Sequence, residues 1–93
     1  MQKRYRIIIS GDVHGVFFRA FVQENAQQLG LKGWVKNVSN KSKKVEAIVE
    51  GDEDKIRLLV ELCKKGPTSA TVENIKAREE KYKGEFTDFS IHY

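Results

Sequence analysis

The chain has 93 residues, of which 40% are hydrophobic and 32% are charged, and its formal net charge is +4. This length and balance predict a single domain over residues 1–93 with one core, and they exclude a disordered chain. No apolar run approaches the roughly 20 residues of a membrane span, and the first residues contain no signal-peptide core, so we expect a cytoplasmic protein.

The first half of the chain predicts a strand, a helix and a hairpin of two strands. Residues 5–9 are rich in β-branched side chains and predict the first strand. Apolar residues then recur at helical spacing until Gly30, where we expect the helix to end. The next two strands are predicted at residues 34–38 and 44–50, joined by a polar turn over 39–42.

The second half predicts a helix and two further strands. The helix begins at Asp52 and carries Cys63, the only cysteine, on its apolar stripe, so we interpret Cys63 as a core residue rather than a catalytic thiol. A single cysteine also excludes a disulfide within the chain. A fourth strand around residues 72–77, with a bulge at 73–74, precedes a short final strand at 89–91.

The predicted order is therefore β-α-β-β-α-β with a short terminal strand. This order predicts an α+β, ferredoxin-like split βαβ sandwich, in which both helices cover one face of an antiparallel sheet. Because this fold supports enzymes, metal carriers and RNA-binding modules alike, the function has to be inferred from a site.

The segment between the first strand and the first helix, residues 11–19, has the features of an anion site. The start of a helix exposes backbone N–H groups at the positive end of the helix dipole. Gly11 and Gly15 allow tight or left-handed backbone, and Arg19 adds a planar fork that suits phosphate oxygens. The pattern predicts a phosphate-binding loop, although glycines in such a place also serve as plain turn residues.

A second segment, residues 33–37, ends in Asn37. Strand alternation places the Asn37 side chain on the face opposite Lys36. An amide both donates and accepts hydrogen bonds, so it can orient a water molecule without titrating. Taken alone, an asparagine at this position is more typical of a turn residue before the hairpin.

With both segments in view, the chain closely resembles the acylphosphatases over essentially its whole length. Residues 11–19 match the family's Gly-x-Val-Gln-Gly-Val-x-Phe-Arg signature at every fixed position but one, and residues 33–37 fully match its Gly-Trp-Val-Lys/Arg-Asn signature. The resemblance implies metal-independent hydrolysis of the carboxyl-phosphate bond of acyl phosphates, with Arg19 binding the phosphoryl group and Asn37 orienting the attacking water.

The resemblance also implies that backbone amides of the loop surround the phosphoryl oxygens, and these belong to His14, Gly15, Val16, Phe17 and Phe18. The expected partners are a small-molecule acyl phosphate and inorganic phosphate, with no nucleic acid and no membrane, and we expect a monomer. We expect no cofactor and no metal, because the sequence contains no cluster of His, Cys or carboxylates at metal-ligand spacing.

Two features depart from the family pattern. His14 stands where the family usually has glutamine; we expect the exchange to be tolerated, since backbone amides do most of the loop's work, although His14 could instead add a titrating group beside the phosphate. The hairpin over residues 38–44 is slightly longer than the family's turn and lacks its usual glycine. A longer turn would shift the tip of the hairpin away from the catalytic end.

Three other functions agree less well with the sequence. The first is a catalytically weak, acylphosphatase-like binding domain, against which the retention of Arg19 and Asn37 argues. The second is a basic nucleic-acid-binding module that stacks bases on Tyr5 and Trp34, but neither residue lies in an RNA-binding signature. The third is a metal carrier, which would need a Cys-x-x-Cys pair, whereas Cys63 is alone.

Overall fold

The computed structural model of the chain describes residues 1–13, 16–38, 43–68 and 70–92. Every element predicted from the sequence is present within these ranges, and the first strand is longer than the apolar run indicated, because its flanking polar residues also pair in the sheet. The elements in chain order are β1 (Gln2–Asp12), α1 (Val16–Gln28), β2 (Lys32–Asn37), β3 (Lys44–Asp52), α2 (Glu53–Lys65), β4 (Thr71–Glu80) and β5 (Phe89–Ile91).

The five strands form one sheet in the order β4-β1-β3-β2-β5. The four strands β4, β1, β3 and β2 pair antiparallel, which confirms the ferredoxin-like fold. β5 pairs parallel with β2, so the prediction of a wholly antiparallel sheet is wrong for the terminal strand. The reason is that β4 ends at the end of the sheet where β2 begins, and the connecting residues 81–88 cross that end and deliver β5 in the direction of β2.

Both helices pack on one face of the sheet, and the core lies between the helices and the sheet. Alternate strand residues and the inner stripes of α1 and α2 form a single cluster, which includes Ile7, Ile9, Phe18, Val22, Ala26, Val35, Val45, Ala47, Val49, Ile56, Leu59, Cys63 and Phe89. Cys63 is 1% exposed within this cluster, which confirms its interpretation as a core residue, and this burial raises the pKa of its thiol to about 12. Neither described helix is long and apolar enough to span a membrane.

The helices begin and end at residues with known capping preferences, and Asp52 and Gly30 lie where the sequence predicts them. Asp52 caps α2 by accepting a hydrogen bond from the Asp54 N–H at 2.9 Å, and Gly66 ends the helix. Gly30, with a φ of 72°, and Leu31 end α1 with the pair of backbone bonds of a Schellman motif, in which the Leu31 N–H donates to Ala26 at 2.9 Å.

A buried carboxylate holds the connection between β4 and β5 across the end of the sheet. Glu50 is 3% exposed and accepts hydrogen bonds from the backbone N–H groups of Lys83, Gly84 and Glu85 at 2.9, 3.2 and 3.2 Å. Arg4 Nη1 also donates to Glu50, at 3.2 Å. Burial by itself raises the pKa of the Glu50 carboxyl, but the hydrogen bonds from the Lys83 amide, from Arg4 and from the next two amides outweigh it and hold the pKa below its ordinary value.

We expect Glu50→Gln to lower the free energy of unfolding by about 3 kcal/mol at pH 7, since Arg4 would lose the charge of a buried partner. Because the pKa of Glu50 is lowered in the folded state, its carboxylate stabilises the fold above the unfolded pKa, and this contribution is lost as pH falls through the folded pKa. Urea unfolding at pH 7 and at pH 3 should therefore show a difference between wild type and variant that shrinks in acid.

The control for this experiment is Glu61→Gln, which removes an exposed carboxylate paired with Lys64 on α2. We expect this control to change the unfolding free energy by less than about 0.5 kcal/mol. An equal loss in the two variants, or a Glu50→Gln difference that does not depend on pH, would contradict the assigned role of Glu50.

Candidate active site

The first turn of α1 presents backbone N–H groups where the sequence predicts a phosphate site. Val16, Phe17 and Phe18 begin the helix, and the first N–H groups of a helix have no acceptor within it. No acidic residue lies in this turn, so the positive end of the helix dipole is not offset locally. Phe18 is buried in the core and anchors the turn, whereas Phe17 is 80% exposed. His14 and Gly15 lie outside the described residues, so their part in the loop stays a prediction.

Arg19, in the same turn, is held against the sheet. It is 8% exposed, and its Nη1 donates a hydrogen bond to the carbonyl oxygen of His92 at 3.3 Å. His92 follows β5, and its own N–H donates to the carbonyl of Val35 in β2 at 2.8 Å. The guanidinium is therefore connected through His92 to β2. Sequence reasoning missed this contact, because a backbone carbonyl leaves no signal in the pattern of side chains.

The His92 ring is fixed on the other face of the sheet. It stacks on Trp34, with ring centroids 5.1 Å apart and planes 17° from parallel. Lys36 Nζ lies 5.3 Å from the centroid of the Trp34 ring. Tyr5, in contrast, packs against the core on the helix-covered face. The two aromatic residues considered for base stacking therefore lie on opposite faces and form no common platform.

Asn37 is the last residue of β2 and faces the helices. It is in register with Val45 of β3, a core residue, as the predicted alternation requires. Its Oδ1 is buried and accepts no hydrogen bond from any residue that the structure describes. Buried polar atoms are nearly always hydrogen-bonded, so this oxygen is suited to accept from a hydroxyl or a water molecule.

The sheet brings Arg19 and Asn37 to one end and one face. β1 and β2 both run antiparallel to β3, so they are parallel to each other and finish at the same end of the sheet. α1 starts just beyond the end of β1, and Asn37 ends β2. Val35, to which Arg19 is connected through His92, lies two residues before Asn37 on the same strand.

Two glycines of the signature segments allow close strand packing. A Cβ on Gly11 would lie 2.2 Å from the carbonyl oxygen of Thr71, and one on Gly33 would lie 1.8 Å from that of Ile48. Gly11 has a φ of 133°, which agrees with the backbone freedom predicted for it, but it lies within β1 and not in the turn between β1 and α1, so that part of the prediction is wrong. It lies beside the bulge at Glu73, which the shifted register between β1 and β4 confirms.

The hairpin between β2 and β3 is closed by a hydrogen bond from the Val38 N–H to the Lys44 carbonyl at 3.0 Å. The Gly11 N–H donates to the Lys43 carbonyl, also at 3.0 Å, which joins the base of the hairpin to β1. Residues 39–42 lie outside the described residues, so the predicted shift of the hairpin tip stays a prediction.

Comparisons with known proteins agree on one family. Residues 5–91 match the family model described as Acylphosphatase. An acylphosphatase of Syntrophobacter fumaroxidans is 46% identical over 92 residues, which cover 99% of this chain and 93% of that protein. An acylphosphatase of Aeropyrum pernix is 46% identical over 90 residues, covering 97% and 88%. The crystal structure of acylphosphatase from Bacillus subtilis matches with a TM-score of 0.89 at 40% identity and covers 100% of both chains.

Proposed function

Because the chain belongs to the acylphosphatase family and hydrolyses acyl phosphates to a carboxylate and inorganic phosphate, we propose that this reaction takes place where α1 begins and β2 ends. In this proposal Arg19 and the backbone amides of residues 14–18 bind the phosphoryl group, and Asn37 orients the attacking water. The observation that carries it is the placement of Arg19 and Asn37 on one face at one end of the sheet, with Arg19 connected through His92 to Val35 of the strand that Asn37 ends.

The phosphoryl group needs donors that match its oxygens and balance its charge. The amides of the first helical turn supply hydrogen bonds, and the guanidinium of Arg19 supplies a planar pair of donors and a full positive charge. Arg19 is almost completely buried, so its field is screened less than that of a surface arginine. Donors that are already in position stabilise the charge that spreads over the phosphoryl oxygens in the transition state.

The water has to attack in line with the bond that breaks. Asn37 Oδ1 would accept one O–H of this water and leave an oxygen lone pair directed at phosphorus. The new bond joins the water oxygen to phosphorus, and the bond from phosphorus to the carboxylate oxygen breaks. Carboxylic acids have a pKa near 4, so the carboxylate leaves without a general acid. A phosphoryl oxygen of the substrate would take the water proton, so the step requires no protein base.

We expect phosphate release from benzoyl phosphate to proceed at the same rate with EDTA as without it. Among the residues that the structure describes, no group of three or more His, Cys, Asp or Glu side chains could hold a metal ion. In the proposal, Arg19 and the backbone amides stabilise the charge on the phosphoryl oxygens, so the reaction does not require a metal ion for this purpose. The measurement is steady-state phosphate release after dialysis against EDTA, with and without added Mg²⁺.

A loss of activity in EDTA that Mg²⁺ restores would contradict the metal-independent mechanism. Binding of inorganic phosphate without turnover of either benzoyl phosphate or acetyl phosphate would instead support the catalytically weak binding domain. In that case the exchange at His14 would be the first change to reverse, by His14→Gln.

We also propose that residues 1–93 act as one catalytic domain, as a cytoplasmic monomer whose partners are small-molecule acyl phosphates and inorganic phosphate. The separation of Tyr5 and Trp34 onto opposite faces argues against a base-stacking surface.

A further inference from the structure

One face of the sheet is not covered by the helices, and we call it the open face. In one half of this face the positive and negative side chains are paired with each other. Near the start of β1, Arg4 and Arg6 form ion pairs with three glutamates of the neighbouring strands, which are Glu46, Glu50 and Glu80. Hydrogen bonds from Arg6 and Arg4 hold the pKa of the Glu80 carboxyl below its ordinary value. This half is a compensated ionic network.

The other half of the open face carries positive charge without such compensation. Lys44 and Lys76 are exposed, and neither forms an ion pair with any residue in the described ranges. The nearby carboxylate on β3 is that of Glu46, which is in register with Ile8 of β1. It is already paired with Arg6, and its Oε1 lies 3.9 Å from Lys36 Nζ.

The strand register gathers the two lysines around a polar centre. Ser10 of β1 is in register with Lys44 of β3 on one side and with Asn74 of β4 on the other. Two residues before Ser10 on β1, Ile8 is in register with Lys76. Strand alternation places all of these side chains on the open face. Together they line a cavity of about 260 Å³.

The chemistry of this cavity suits an anion. Two ammonium groups, a hydroxyl and an amide provide donors, and no carboxylate lines the cavity. Phosphate oxygens accept several hydrogen bonds at once and gain additionally from cationic donors. The volume is below the roughly 300–1,000 Å³ of pockets for drug-sized ligands, so a small anion fits better than a large one.

We propose that Ser10, Lys44, Asn74 and Lys76 form a second anion-binding site, which takes a small phosphate-bearing molecule such as a phosphomonoester or a diphosphate. This site is separate from the one that contains Arg19, because the two lie on opposite faces of the sheet. An extended nucleic acid suits it less well, because Arg4 and Arg6 in the neighbouring half are already paired with glutamates and offer no uncompensated charge to further phosphates.

The test is an NMR titration of backbone and side-chain amides with methylenediphosphonate, a diphosphate analogue that resists hydrolysis, at constant ionic strength. We expect saturable shifts in two separate groups of signals. The amides of Ile8 and Ser10 and the side-chain amide of Asn74 report on the proposed site. The amides of residues 16–19 report on the site that contains Arg19.

Substitutions should separate the two groups of signals. We expect Lys44→Gln/Lys76→Gln to weaken binding at the open face by about tenfold or more and to leave the shifts of residues 16–19 unchanged. Arg19→Ala should weaken the shifts of residues 16–19 and leave those of Ile8, Ser10 and Asn74 unchanged. The matched control is Lys55→Gln/Lys65→Gln, which removes the same charge from exposed positions of α2 and should leave both groups of shifts intact.

Three outcomes would overturn the proposal. The first is the absence of saturable shifts at Ser10 and Asn74. The second is an equal loss of binding in the control variant, which would show a general effect of net charge. The third is a single-stranded RNA that shifts the same amides more strongly than methylenediphosphonate and extends its effects to Trp34, which would assign the surface to nucleic acid instead.

Discussion

Arg19→Ala is expected to abolish turnover of acyl phosphates and, in the same protein, to weaken binding of inorganic phosphate. One guanidinium serves the bound phosphate and the transition state alike, so its loss should affect both. By analogy with other arginines that stabilise phosphoryl transfer, we expect kcat/KM to fall by about 10³–10⁵-fold. This corresponds to about 4–7 kcal/mol of transition-state stabilisation. Steady-state phosphate release and an NMR titration with phosphate measure the two effects.

Two matched variants make this result specific. Arg19→Lys keeps the charge but loses the planar pair of donors, so we expect it to recover only a small part of the activity. Arg57→Ala removes an arginine from the exposed side of α2, where it lies 3.9 Å from Asp54, and should leave kcat/KM unchanged. A folded Arg19→Ala protein, judged by circular dichroism and its Tm, with kcat/KM near that of wild type would rule out the proposed site.

Asn37→Ala is expected to lower kcat by about 10²–10³-fold, as the loss of one oriented polar group does in other active sites. Binding of inorganic phosphate should change by less than about twofold, because Asn37 is assigned to the water and not to the phosphoryl group. The buried Oδ1 of Asn37 is the structural basis of this division, since no described residue donates to it. The measurements are kcat from phosphate release and the phosphate affinity from NMR.

The control for Asn37 is Asn25→Ala on α1, where the side chain donates to the carbonyl of Phe21 at 2.8 Å. This variant removes an equivalent amide from α1 itself but away from the proposed water, so kcat should stay near the wild-type value. A kcat for Asn37→Ala that is close to wild type would exclude the water-orienting role. A parallel fall in phosphate affinity would indicate instead that Asn37 binds the phosphoryl group.

Signals that depend on neighbours in the chain were sufficient to predict most of the fold. Alternation placed Asn37 on the face opposite Lys36, and the spacing of apolar residues identified both helices. Gly30 marked the end of α1, and the step between Val72 and Ile75 indicated the bulge at Glu73. Each of these features is set by steric and hydrogen-bonding preferences of a few adjacent residues, so the amino-acid sequence by itself determines them.

Other features depend on partners far apart in the chain, and only the tertiary structure decides them. β5 lies parallel to β2 because the connection after β4 crosses the end of the sheet where β2 begins, and Glu50 binds the amides of this connection and holds it there. The contact between Arg19 and the His92 carbonyl exists only because β5 is placed there. A backbone carbonyl is the same in every residue, so no pattern of side chains could indicate which one would meet the guanidinium. The sequence determined the residues available for the chemistry, and the long-range pairing of strands determined how they are brought together.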